Sequence, residues 1–140
     1  MNSAHDSGED NLEIPFLDYC FIERPAPKDG KGFAAIQPRR ELNNSMSMTH
    51  GGVLMTLMDA AMGGAARSLQ KPGVTVVTID MQVAFLGPAR GRIEAHGVVT
   101  KATRSFVFTQ CEVLNEAGEL VARGTGLFRP VDRARMTGAA

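Results

Sequence analysis

One carboxylate stands out by its surroundings. Asp59 follows Leu57 and Met58 and precedes Ala60, Ala61 and Met62, in a stretch whose apolar residues recur at helical spacing. Aspartate is a poor residue for a helix interior and is almost never fully buried without a partner. Burial would raise its pKa and make it a better base; a partly exposed Asp paired with an arginine or a backbone amide is the plainer alternative. Just upstream, His50-Gly51-Gly52 opens the same stretch. The N–H groups of a first helical turn are unpaired, the helix dipole there favours negative charge, and glycine lets a ligand come close. Such a site can stabilise a carbonyl oxygen becoming an oxyanion. A glycine-rich helix start chosen for close packing reads equally well.

Distance then limits how these groups can cooperate. Gly51 and Asp59 are eight residues apart, roughly 12 Å along one helix at 1.5 Å per residue. An attacking group and an oxyanion donor must both lie about 3 Å from the same reacting atoms. One helix cannot do this, whereas two antiparallel copies across a two-fold axis can, with Gly51 of one chain facing Asp59 of the other. An active site here requires at least a homodimer.

The elements that must position these residues follow from the period of the apolar pattern. Residues 50–68 form the one convincing helix, with Val53, Leu54, Leu57, Met58, Ala61, Met62 and Ala65 on one face and Thr49 as N-cap. Ala60 and Ala66 make the other side apolar too, so the helix reads as buried, and Pro72-Gly73 end it. Before it, residues 14–21 allow two helical turns at most, Pro25 and Pro27 keep the next segment extended or turned, and residues 32–42 contain a first strand that Pro38 places at an edge or bulge. After Gly73 come four segments rich in β-branched and aromatic residues, 74–85, 92–101, 105–114 and 120–129. Short turn signals between them predict an antiparallel meander. The fold class is α+β, one long helix against a curled sheet. Residues 1–11 are polar and acidic and read as a disordered tail, residues 12–130 as a single domain, and residues 131–140 as a flexible tail.

Composition excludes several functions. The 140 residues carry 15 Lys+Arg against 15 Asp+Glu, which argues against a general nucleic-acid binder. Folding would leave about 7,000 Å² of surface from about 22,000 Å² unfolded, a core large enough without staples. No apolar run nears the ~20 residues of a membrane span, and the polar start is no signal peptide. Cys20 and Cys111 are far apart and outside any CxxC spacing, reading as free, buried thiols of a reducing, cytoplasmic compartment. His5 and His96 have no partner visible in sequence, so no metal site is expected. Six of the eight methionines, Met46, Met48, Met55, Met58, Met62 and Met81, fall in one quarter of the chain. Methionine suits a pocket that accepts varied apolar groups.

The pattern N-x5-H-G-G-x4-L-x-D-x-A-x-G, carried by Asn44, His50, Gly51, Gly52, Leu57, Asp59, Ala61 and Gly63, resembles the hotdog-fold acyl-CoA thioesterases of the PaaI-like branch. The segment VTIDMQVAFLGPARG, with its F-L-x-P-A turn, and the strand LVARGTGLF resemble later parts of that family. The resemblance runs from about Gly32 to Phe128. It implies a hotdog fold, a central helix wrapped by a curled antiparallel sheet, and hydrolysis of an aryl or fatty acyl-CoA thioester to acid and CoA. Asp59 would be general base or nucleophile, and the Gly51 amide the oxyanion donor from the opposite subunit. His50 and Asn44 would position the thioester, and Thr78 would orient water. Gly52, Met46, Met48 and Met58 would line the substrate site, while Arg90, Arg92 and Arg104 would hold the coenzyme A phosphates. No cofactor is implied, since coenzyme A belongs to the substrate. The family commonly forms homotetramers. Its usual Gly three residues before the His is here Ser47, which bears on the path of the loop and on Asn44, for which Asn43 could substitute. A non-catalytic acyl-CoA binding or sensing module on the same fold is the competing reading.

Overall fold

The switch from helical to two-residue periodicity near Gly73 divides the structure into its two layers. A computed structural model describes residues 12–138, so the expected tail at residues 1–11 lies outside the described residues. The elements are α1 (Pro15–Tyr19), β1 (Lys31–Ile36), a 3-10 turn (Arg40–Leu42), α2 (Gly51–Arg67), β2 (Val74–Phe85), β3 (Ile93–Ala102), β4 (Val107–Leu114), β5 (Leu120–Asp132) and α3 (Arg133–Met136). All five strands form one antiparallel sheet in the order β1-β3-β4-β5-β2. It curls around α2, as the α+β hotdog reading requires.

Three expectations are corrected. The strands are not one meander: β3, β4 and β5 follow one another, but β2 pairs with β5 and lies at the far edge from β1. The Gly87-Pro88 and Gly91 segment is therefore a crossing link, since β3 is paired on both sides, with β1 and with β4. The chain after Pro130 does not fray at once. β5 runs to Asp132 because Val74, Thr75 and Val76 pair with Asp132, Val131 and Pro130. Asp132 then caps α3 by accepting from the Ala134 amide. Pro130 is tolerated because β4 begins only opposite Phe128, leaving β5 bonded on one side there. Finally, α2 is not buried all round. Leu54, Leu57, Met58, Ala61, Met62, Ala65 and Ala66 face the core, whereas Gly52, Met55, Thr56, Asp59, Ala60 and Gly63 form a stripe left open or half-covered.

How closely α2 lies on the sheet is set by a row of small residues across the strands. Register pairs Gly32 with Gly97, Gly97 with Cys111, and Cys111 with Gly124. A Cβ on Gly32 would overlap the Ala61 carbonyl oxygen, and one on Gly97 would lie 2.7 Å from the same atom. The helix backbone thus rests on the sheet backbone. On either side of this row Ile36, Ile93, Val107, Val113 and Phe128 fill the core with α2's Leu57, Met58 and Met62, all at most 2% exposed.

Substituting either glycine should therefore lift the helix. We expect Gly97→Ala to lower unfolding free energy by about 3 kcal/mol, the upper range for overpacking, and Gly32→Ala by at least as much. A urea unfolding midpoint within error of the parent for both variants would contradict this packing.

Candidate active site

The helix start is built by the loop before it. Asn43 bridges Thr49, the His50 amide donates to Leu42 O at 2.8 Å, and the Thr49 amide donates to Ala89 O at 3.1 Å. These bonds hold Thr49 extended and buried, so it is not the N-cap. His50 is the cap: its Nδ1 accepts from the Gly52 amide at 2.8 Å, which places the proton of the neutral ring on Nε2. The Gly51 amide, first in the helix, has no partner among the described residues. The Phe85 ring covers the Gly51 α-carbon, where a Cβ would come within 3.3 Å of it.

Asn44 organises the tip of this loop. Its Oδ1 accepts from the amides of Met46 and Met48 at 2.9 and 3.1 Å. Its own amide donates to Met48 O at 2.7 Å. Between them Ser47 sits at φ 60°, in the left-handed region. That is the position where the resembling family has glycine. Ser47 thus takes up a backbone conformation that glycine adopts freely, at some conformational cost.

Asp59 lies midway along the open stripe of α2. It is half-buried rather than buried, because the described residues leave that stripe partly open. Thr78 Oγ1 donates to Asp59 Oδ1 at 2.7 Å, so the structure brings together the two residues that sequence separates by 19. A β-bulge makes this possible: the β2–β5 register shifts between Thr78 and Asp80, leaving Ile79 without a paired residue. Before the bulge Val76 and Thr78 face α2; after it Met81 and Val83 do, packed against the core. The signal was present in the sequence as a change of parity in the apolar alternation between Thr78 and Met81.

Asp59 and Thr78 line a groove of about 490 Å³. One wall is the open stripe of α2, with Gly52, Met55, Thr56, Ala60 and Gly63. Thr75, Val76 and Met81 of β2 form a second wall, and Pro25, Pro27 and the α1 segment a third. The methionines divide differently from expectation. Met58 is fully buried and packs toward Gly124, because it points to the sheet side of α2. Met46 stands 65% exposed on the loop, and Met48 is half-buried there. Met55 and Met81, not singled out for this role from sequence, are the methionines of the groove wall.

The three arginines are not brought together. Arg90 is exposed beside the helix start, its carbonyl accepting from the Glu116 amide. Arg92 forms ion pairs with Glu23 and Glu94, whose hydrogen bonds raise its pKa further above the ordinary guanidinium value. Arg104 is exposed in the β3–β4 turn, at the opposite end of the ten-residue β3. That puts it about 30 Å from Arg92 at 3.3 Å per residue.

His96 lies on the opposite face of the sheet, edge-on to Phe33 and 3.5 Å from Glu94. Among the described residues no three metal-ligating side chains come together, and no helix is long and apolar enough to cross a membrane. Cys20 and Cys111 are both buried. Burial pushes the Cys111 thiol up to about 12, so it is a packing residue of the glycine row rather than a nucleophile.

Comparison with known proteins adds to this geometry. The thioesterase superfamily matches residues 46–122. A putative esterase of Halobacterium salinarum is 39% identical over 88 residues, 57% of this chain and 58% of that protein, so the match spans less than two thirds of that relative. Human acyl-coenzyme A thioesterase 13 is 31% identical over 100 residues, 68% of this chain and 69% of that one. A Bacillus halodurans protein solved with CoA superimposes with a TM-score of 0.77 at 25% identity, covering 89% of this chain and 81% of that one.

Two outcomes follow from the local geometry. Ser47→Gly relieves a left-handed serine and should raise stability by up to about 1 kcal/mol; a fall in the thermal midpoint would place the strain elsewhere. The Cys111 thiol ionises near 9 when unfolded but at about 12 when folded. Its contribution to stability is complete below pH 9 and is lost as pH rises toward 12. Parallel unfolding titrations should show the parent losing more stability than Cys111→Ala across that window.

Proposed function

This chain belongs to the thioesterase superfamily, and on that premise we propose that it hydrolyses acyl-coenzyme A thioesters to the free acid and CoA. The observation that carries the reading is the Thr78–Asp59 hydrogen bond on the wall of the groove. A carboxylate fixed through one oxygen keeps the other for a water or for the thioester carbon itself. In the general-base course, Asp59 takes a proton as water attacks the carbonyl. The tetrahedral oxyanion forms against a Gly51 amide and then collapses, breaking the C–S bond. The proton leaves with the thiol of CoA. In the nucleophilic course Asp59 attacks the carbonyl carbon and the C–S bond breaks, CoA leaving as a thiolate that takes up a proton; water then opens the mixed anhydride, releasing the acid and restoring the Asp59 carboxylate.

The Gly51 amide in question belongs to a second copy, since the two groups are about 12 Å apart on α2. Two features support a homodimer built for this purpose. Gly52, Thr56, Ala60 and Gly63 keep much of the open stripe of α2 small, which lets another copy of itself approach closely. Beside it β2 is a 12-residue edge strand with Ile79 and Phe85, and Leu86 just beyond it, about half exposed, an edge that calls for a partner. Pairing of two such dimers would give the expected tetramer. His50 fixes the helix start through Gly52, and Asn44, its oxygen engaged by the loop, has its amide NH₂ left to donate to the thioester. Gly52 and Met55 border the acyl group, with Met46 and Met48 at the rim. Arg90 lies closest to the helix start and is the first candidate for a CoA phosphate, with Arg92 and Arg104 further away. The chemistry calls for no metal or redox cofactor, and the free thiols fit a reducing, cytoplasmic setting.

A panel of acyl-CoA esters with a free-thiol readout tests the assignment. Asp59→Asn should lower kcat by about 10³-fold or more while keeping the fold and acyl-CoA binding, and Thr78→Val by about 10-fold to 100-fold. Sedimentation should give a dimer or tetramer. Full turnover by Asp59→Asn would overturn the mechanism, and a panel left wholly uncleaved yet bound would favour the non-catalytic module.

A further inference from the structure

Two adjacent glycines, Gly63 and Gly64, stand inside α2 one turn past Asp59. Glycine inside a helix costs backbone entropy and weakens the helix relative to alanine. At Gly97 packing demands it, since a Cβ there would lie 2.7 Å from the Ala61 backbone. No such demand acts on the pair in α2. A Cβ on Gly64 would meet Pro27 Cβ and Cγ at 3.5 and 3.6 Å, ordinary contact distances. One on Gly63 would touch the edge of the Phe128 ring at 3.3 Å, a few tenths of an ångström tight, with its next contact at 3.9 Å. What the two missing side chains leave is space. Gly63, Gly64, Pro27 and Phe128 all border the groove that holds Asp59. Side chains at 63 and 64 would enter it from the helix wall, one toward Phe128 and the other toward Pro27.

The groove extends along α2 on both sides of Asp59, and the dimer proposed above leaves one of them to a ligand. With Gly51 of one helix level with Asp59 of its antiparallel partner, the two helices overlap over residues 51–59 and no further. Ala60, Gly63 and Gly64 lie past that overlap. The walls facing them are apolar, with Leu17, Pro27, Val76 and Phe128. Arg24 also borders the groove, but its Nη2 donates to the Leu12 carbonyl and to Asp18, each at 3.1 Å, and is committed to these partners.

We propose, resting on the thioesterase reading above, that Gly63 and Gly64 set the acyl specificity by keeping open a pouch for apolar acyl groups of about six carbons or more. The two glycines are four and five residues beyond Asp59, or about 6–7.5 Å along the axis. At about 1.2 Å per extended bond, a tail must run five or six bonds past the reacting carbonyl to reach them. A butyryl group stops short, a hexanoyl group arrives, and an octanoyl group passes between Phe128 and Pro27, leaving water for apolar walls. The helix gives up stability at these two positions for room in the groove.

The test measures kcat/KM for butyryl-CoA and octanoyl-CoA and follows thermal unfolding of the same variants. Wild-type kcat/KM should favour octanoyl-CoA by about tenfold or more, as burial of four further methylenes allows. Gly64→Ala should raise the thermal midpoint by about 2–5 °C. It should also lower the octanoyl-to-butyryl ratio about threefold, because the methyl that favours the helix takes room from the tail. Gly64→Val should lower the ratio about tenfold, chiefly through octanoyl-CoA. A wild-type ratio of one or less, or a ratio unmoved by Gly64→Val, overturns the proposal while leaving the thioesterase reading intact. A lower midpoint for Gly64→Ala overturns it as well, since packing would then require the glycine. If neither thioester is cleaved, the thioesterase reading fails instead, and calorimetry decides the groove's preference. Tighter binding of octanoyl-CoA that is lost in Gly64→Val supports the pouch, and equal binding of the two thioesters overturns it.

Discussion

The contact between the Ala61 backbone and the glycines beneath it governs the rest of the molecule. Because Gly32 and Gly97 carry no side chain, α2 settles onto β1 and β3 at backbone distance. Cys111 and Gly124 continue the row, and larger residues are confined to the rows on either side. A helix lying this deep leaves its opposite stripe low, between β2 on one side and the Pro25–Pro27 segment on the other. The groove is the space that results. Close packing at one face of α2 thus creates the cavity at the other.

The bulge in β2 is the second determinant. Strict alternation from Val74, Val76 and Thr78 would bring Asp80, Gln82 and Ala84 to the inner face and expel Met81 and Val83. One extra residue reverses this. Thr78 can then face Asp59 while the remainder of β2 still offers an apolar face to the core. A local irregularity in an edge strand reconciles a polar hydrogen bond at the site with the packing around it.

The open stripe of α2 and the unpaired edge of β2 adjoin each other, and both border the groove. Within one chain the helix start with its unpartnered Gly51 amide is separated from Asp59 by the helix itself. The two-fold partner proposed above would bridge this separation, because an antiparallel copy returns a helix start to the level of Asp59.

Much of this was legible from residue order alone. Helical spacing located α2 within one residue at each end, and two-residue alternation located four strands. The His50-Gly51-Gly52 start and Asp59 pointed to the candidate site, because a mid-helix carboxylate and a glycine-rich helix start are local anomalies that local rules expose. What only tertiary structure decided was non-local. The pairing of β2 with β5 follows from β1 and β4 taking both edges of β3, not from turn residues. Thr49 looked like a cap until Ala89 and Asn43 claimed its backbone. Met58 and Met55, three positions apart on one helix, went to core and groove because the glycine row chose which face met the sheet. The Arg24–Leu12 contact joins residues with no shared period or motif. Sequence determined the elements and the chemical groups, since those follow from neighbours a few bonds away. Orientation and proximity were left to packing, since they depend on which surfaces can approach without a Cβ between them.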